Sequence, residues 1–125
     1  MSGTGNGIVY VQTKGTEDMP SQYAVISLAR AARSMGVDVA MFYMLRGAEV
    51  PKKAVVEKIG PPTEEMPALK ELLKKAIEEG VEIYVCPHSG KLCGINPGGY
   101  FDGIKTAGAA TLNDLAVGYG TVITF

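Results

Sequence analysis

The spacing of apolar residues switches repeatedly between strand and helix periods along this chain. Ile8-Val9-Tyr10-Val11-Gln12 is a β-branched and aromatic run, a strand by composition. After a polar loop at Lys14 to Asp18 the period lengthens. Val25, Leu28, Ala29 and Ala32 fall at i, i+3, i+4 and i+7, which predicts a helix from Pro20 to Met35. Pro20 suits its first turn, where a missing N–H costs nothing, and Gly36 suits its end. Ser27, Arg30 and Ser34 share the opposite face. Ala24, Ile26 and Ala31 add apolar surface beside the stripe, expected to form a second contact face toward another subunit.

Val37 to Leu45 is apolar apart from Asp38, which predicts a strand buried on both faces. Pro51 to Ile59 is expected to hold a short helix, and Gly60-Pro61-Pro62-Thr63 is a break. Leu69, Leu72, Leu73, Ala76 and Ile77 mark the cleanest helix, with Glu71, Lys75 and Glu79 paired at i, i+4 on its wet side. Gly80 stops it, and Val81 to Cys86 predicts a third strand. Pro97 to Ala107 is expected to carry a helix through Tyr100, Phe101 and Ile104. Thr111 and Asp114 read as a capping box ahead of Leu112 and Leu115, and Thr121 to Phe125 as a last strand.

Strands alternating with helices imply βαβ crossovers, hence an α/β fold with a mostly parallel sheet and helices on its faces. Four strands are clear, and a fifth is expected within Ala48 to Ile59. The chain reads as a single domain over residues 8–125 behind a flexible lead-in at residues 1–7. The alternating glycines of that lead-in precede the first strand, so no helix N-terminus is placed to hold a phosphate. Ligands of open α/β sheets gather outside the carboxyl ends of the strands. That edge would carry Lys14-Gly15-Thr16, Arg46-Gly47 and Cys86-Pro87-His88.

The inventory narrows the chemistry. The 125 residues are 46% hydrophobic and 20% charged, which fits one globular core. A net charge of -1 provides no pull toward nucleic acid or an anionic membrane. No apolar run is long enough for a transmembrane helix, and the N-terminus lacks the regions of a signal peptide. The expected location is the cytoplasm, with reduced thiols. Two Cys and one His exclude a four-Cys zinc site and a two-Cys, two-His one.

The three softest side chains, Cys86, His88 and Cys93, lie close together. Cys86 ends an apolar strand and precedes Pro87, which places it near a helix N-cap, where orphan N–H groups and the helix dipole favour an anion. Its plainer role is a small buried hydrophobe. His88 is a base or an ion-pair partner for a thiolate, or a surface residue. Residues at i and i+2 of a helix do not face each other, so a direct pair needs an irregular turn. Ser89 reads as a capping or solvent-facing residue. Cys93 is a resolving thiol or a packing residue. A helix between the two cysteines separates them by roughly 10 Å, beyond the ~7 Å reach of a disulfide, unless Gly90 and Gly94 bend the chain. Lys14, Arg46 and Lys91 are candidate anion-stabilising cations at the same mouth, or solvated loop charges.

Val81 to Cys86, running on through Ser89, Gly94 and Ile95, resembles the DsrE/DsrF-like family, which includes the TusD-like sulfur-relay proteins. The tail from Asp102 to Leu115, closing on Val122-Ile123-Thr124-Phe125, is similar to that family too, as is the order of elements from Ile8. The resemblance implies a three-layer α/β/α sandwich that assembles into homo- or hetero-oligomers, a homo-oligomeric trimer or hexamer being expected here. It implies a persulfide carried at the position of Cys86 and passed between donor and acceptor proteins without metal or organic cofactor. One departure stands out. Pro87-His88-Ser89 follow the Cys, where the sulfurtransferases have small apolar residues. The expected function is a sulfur carrier or sulfurtransferase. The alternatives are a non-catalytic oligomeric binding or scaffold module and a Cys86/Cys93 redox switch.

Overall fold

A computed structural model describes residues 5–125; residues 1–4, and with them most of the expected lead-in, lie outside the described part. Five strands form one sheet: β1 (Gly7–Gln12), β2 (Asp38–Tyr43), β3 (Glu82–Val85), β4 (Lys105–Thr106) and β5 (Gly120–Thr124). All pairings are parallel and the order is β4-β3-β2-β1-β5. The helices are α1 (Met19–Ser34), α2 (Lys53–Val56), α3 (Leu69–Glu78), α4 (Pro87–Leu92) and α5 (Ala109–Tyr119), with a 3₁₀ helix at Leu45–Glu49. Among the described residues no helix is long and apolar enough to cross a membrane.

The strand period of two sorts side chains into two cores. Tyr10, Val39, Met41, Tyr43, Ile83 and Val85 pack with α1 and α3. Val9, Val11, Ala40, Phe42 and Cys86 pack with Leu115 and Tyr119 of α5. The sheet is therefore the middle of three layers, as the resemblance implied, and it is parallel throughout. Cys86 continues β3 by donating its N–H to the Tyr43 carbonyl (2.9 Å). Being one residue beyond Val85, it turns toward the α5 side.

Several boundaries follow local chemistry. Asp18 caps α1 by accepting the Ser21 N–H at 3.1 Å, and Pro20 lies in the first turn as expected. The buried arc of α1 is Gln22, Tyr23, Val25, Ile26, Ala29 and Ala32. Ile26, expected on a second surface, is in the core, and Leu28, expected in the core, is 45% exposed. The sheet and α3 together widen the buried arc toward Ile26 and leave Leu28 on its flank. Arg30 grips Glu79 with two bonds, 2.7 and 2.8 Å, and ties α1 to the end of α3.

Three expectations are corrected. Pro97 to Ala107 holds no helix: Gly98, Gly99 and Gly103 adopt left-handed backbone, which breaks the partial apolar period. The fifth strand is β4 in that same segment, not within Ala48 to Ile59, where α2 makes one turn and Lys52 only bridges Tyr100. Gly108 is the N-cap of α5, so Thr111 lies inside the first turn and caps nothing.

Candidate functional site

Cys86 stands where β3 hands over to α4. The chain turns there because Pro87 can open a helix but cannot extend a strand. Cys86 is the N-cap of α4, and its Sγ accepts the Ser89 N–H at 3.5 Å. The residue is only 7% exposed.

Ser89 organises the turn. It is buried, and its Oγ donates to the Cys86 carbonyl (3.2 Å) and accepts the Leu45 N–H (2.9 Å). Leu45 is the one non-glycine residue with positive φ (+53°) among those described. That conformation is costly for a branched side chain, and the Ser89 hydroxyl holds it. Gly90 behind this point leaves no room for a side chain: a Cβ would lie 2.9 Å from that of Ala48. The turn after β2 and the helix after β3 are thus locked together beneath Cys86.

A cleft of about 350 Å³ opens beside the cysteine, lined by Phe42, Met44, Cys86, His88, Ser89, Gly108, Ala109, Leu112 and Asn113. Its floor is the α5 face of the sheet, where Phe42 stacks on Tyr84 with ring centroids 6.1 Å apart. The opposite wall is the first turn of α5, whose N-cap Gly108 makes no side-chain cap bond. Most of the lining is apolar. His88 is exposed and is, apart from the Cys86 thiol, the only ionisable side chain in the lining.

The remaining expected site residues stand elsewhere. Cys93 is the C-cap of α4, half-buried, free, and not among the cleft-lining residues. Lys14, Arg46 and Lys91 are all exposed at the carboxyl edge of the sheet and line none of the cleft. Arg46 faces Glu17 at 3.6 Å, and the Lys14 carbonyl accepts from buried Gln22. Conversely, Ser89 is no solvent-facing residue, and Phe42, Met44, Leu112 and Asn113 were not anticipated. The parity of β2 against Cys86 was a usable signal for Phe42 and Met44. None existed for the α5 residues, since nothing local says which face of the sheet that helix covers.

At the far end of the same face, Tyr119 donates to Glu82 Oε2 (3.0 Å), and Lys105 donates to Glu82 Oε1 (3.1 Å). Burial, reinforced by the bond to Glu82, pushes the Tyr119 phenol up to about 12. This network anchors the C-terminus of α5, and so the helix whose other end walls the cleft.

A family model described as the DsrE/DsrF-like family matches residues 6–125. An uncharacterized protein of Methanocaldococcus jannaschii, MJ0760, is 32% identical over 101 residues, covering 81% of this chain and 36% of the relative. The chain thus spans about a third of that relative's length. The crystal structure of the YchN protein of E. coli matches with a TM-score of 0.76 at 20% identity, over 96% of this chain and 99% of that one. MTH1491 of Methanobacterium thermoautotrophicum, a protein of unknown function, matches at 0.68 and 13% identity, over 95% and 99%. At these identities the two structures share the fold.

Proposed function

We propose a function from one premise: this chain belongs to the DsrE/DsrF-like family. In our reading Cys86 holds sulfane sulfur as a persulfide and passes it to an acceptor thiol. The observation that carries this is the placement of Cys86, the N-cap of α4 with a backbone N–H on its sulfur, at the mouth of a cleft. A fixed N–H donor and the helix end both favour negative sulfur. His88 on the rim accepts the thiol proton. The thiolate attacks the outer sulfur of a donor hydropersulfide, R–S–SH. The Cys86–sulfur bond forms, the donor S–S bond breaks, and R–S⁻ leaves and takes the proton back. An acceptor thiolate then attacks the same outer sulfur, and Cys86 thiolate departs. Neither step needs an external oxidant or reductant. In this reading the protein works in the cytoplasm as a trimeric or hexameric homo-oligomer, between donor and acceptor proteins.

The test is intact-mass measurement after incubation with a sulfane-sulfur donor. Wild type gains about 32 Da per sulfur and Cys86→Ser gains none. Equal loading of both, or no loading of wild type, ends the proposal. The 7% exposure of Cys86 supports a second reading, a non-catalytic binding or scaffold module. A native thiol that resists alkylation at all times selects that one.

A further inference from the structure

We infer that the cleft beside Cys86 takes sulfur from a free, low-molecular-weight hydropersulfide whose R group is neutral and apolar. This rests on the persulfide reading above, and it adds a small molecule to the donors of that reading.

Cys86 decides what occupies the cleft. The residue is 7% exposed and lines the cleft, and the Ser89 N–H meets its sulfur from the helix side. A donor sulfur therefore comes in through the cleft. In R–S–SH the outer sulfur bonds to Cys86, the donor S–S bond breaks, and R–S⁻ leaves with the proton that the thiol gave up. The inner sulfur and R lie beyond the attacked sulfur, inside the cleft. R must then match the chemistry of the lining.

That lining is apolar where it is deep. Phe42, 1% exposed, lies beneath it, and Met44 and Leu112 are half-buried beside it. Three lining side chains are polar besides the thiol. Ser89 is spent, donating to the Cys86 carbonyl and accepting the Leu45 N–H. His88 and Asn113 are exposed, on the open side. A carboxylate drawn inside would lose its water and gain no fixed cation, which is costly. Lys14, Arg46 and Lys91 are absent from the lining, and an ion pair with exposed His88 is worth little. The first turn of α5 starts at Gly108 and Ala109, both exposed, so water serves its N–H groups.

Size and polarity also favour a free small molecule. The cleft, about 350 Å³, lies at the small end of ligand sites, which run from about 300 to 1,000 Å³. A persulfide borne on a peptide would bring backbone N–H and C=O groups in behind its sulfur. The deep lining holds no side chain free to pair with them.

The test compares benzyl hydropersulfide with para-carboxybenzyl hydropersulfide. The carboxylate stands across the ring from the sulfur and hardly alters the leaving thiol, so the pair isolates one charge. Inorganic polysulfide, which has no R group, is the third donor. Loading is followed by intact mass, about 32 Da per sulfur, with the loading of Cys86→Ser subtracted to remove any at Cys93. Wild type should load from the benzyl donor at least about tenfold faster than from the carboxylate, the least that one mismatched group makes in an apolar pocket. Leu112→Lys, which puts a cation in the wall, should close or reverse that gap. Ala109→Lys, at an exposed lining position, should do the same and decides the matter if Leu112→Lys fails to fold. A smaller gap in wild type, faster loading from the carboxylate, a gap that neither lysine changes, or loading from polysulfide alone overturns this inference and leaves the persulfide reading standing. No loading from any of the three donors ends both.

Discussion

Ser89→Ala isolates the hydroxyl beneath the candidate nucleophile. Two groups lose a partner, but unequally. The Cys86 carbonyl still accepts the Gly90 N–H at 3.3 Å. The Leu45 N–H, bonded at 2.9 Å only by the Ser89 oxygen, is left with nothing. The bond is part-buried, and an orphaned donor shielded from water costs about 1–3 kcal/mol. The lost hydroxyl bond to Cys86 adds little, because its acceptor remains satisfied. Leu45 also sits at φ +53°, and a left-handed branched residue carries about 1–2 kcal/mol of its own strain. The freed turn therefore has reason to relax, which pulls the cost toward the lower end of the range. Urea denaturation of wild type and variant, fitted with a common slope, should separate their midpoints by about 1–3 kcal/mol of stability. A loss below about 0.5 kcal/mol, the level of an ordinary surface substitution, would refute the reasoning. It would mean that water reaches Leu45 and that Ser89 does not lock the two turns.

Gly90→Ala drives a methyl to within 2.9 Å of the Ala48 Cβ, so α4 must shift; a loss of about 1–3 kcal/mol by denaturation is expected, with slower persulfide loading. Cys93→Ser should leave loading at the wild-type level, because Cys93 caps the far end of α4; mild oxidation of the wild type should leave two titratable thiols, and their loss would instead favour the redox switch. His88→Ala should slow loading by less than about tenfold, below the usual contribution of a fully engaged acid–base residue, because no hydrogen bond joins it to the Cys86 sulfur; single-turnover mass spectrometry reads this. Arg30, by hydrogen bonding first and by charge second, holds the Glu79 carboxyl below its ordinary value near 4.5. Its stabilisation is present above that value and is lost as pH falls through the lower, folded one. Both side chains are substantially exposed (30% and 41%), so Glu79→Gln should cost less than about 1 kcal/mol near neutral pH, and the difference should vanish in acid denaturation.

The site was partly legible in the chain. Cys86 at the end of a buried strand, followed by a helix-opening proline, is a local pattern, and both neighbours enforce it. The strand at Val81 to Cys86 and the helix at Leu69 to Ile77 were readable because their periods are clean and glycines end them. The segment from Pro97 to Ala107 has the spacing of a helix and forms none, for a physical reason. Tyr100, Phe101 and Ile104 imitate a helical stripe, but their burial comes from packing against the α1/α3 core from a glycine-bent loop. Ser89 reads as a capping or solvent-facing residue from sequence, but it is buried in the first turn of α4, where Cys86 is the cap, and its hydroxyl bonds the Cys86 carbonyl. Its second bond, to Leu45, spans 44 positions, and no window of local sequence contains it.

By itself, then, the sequence determined the parallel α/β class, the three-layer arrangement through its family resemblance, and the one cysteine at a strand-to-helix junction. These follow from side-chain period and local turn chemistry, which act between near neighbours. The tertiary structure decided the rest. It set which side of the sheet Cys86 faces, brought the start of α5 across from it to form the cleft, and left Lys14, Arg46, Lys91 and Cys93 outside that cleft. It also put β5 at an outer edge of the sheet. Those outcomes depend on strand order and on which helix covers which face, and such contacts join residues far apart in the chain.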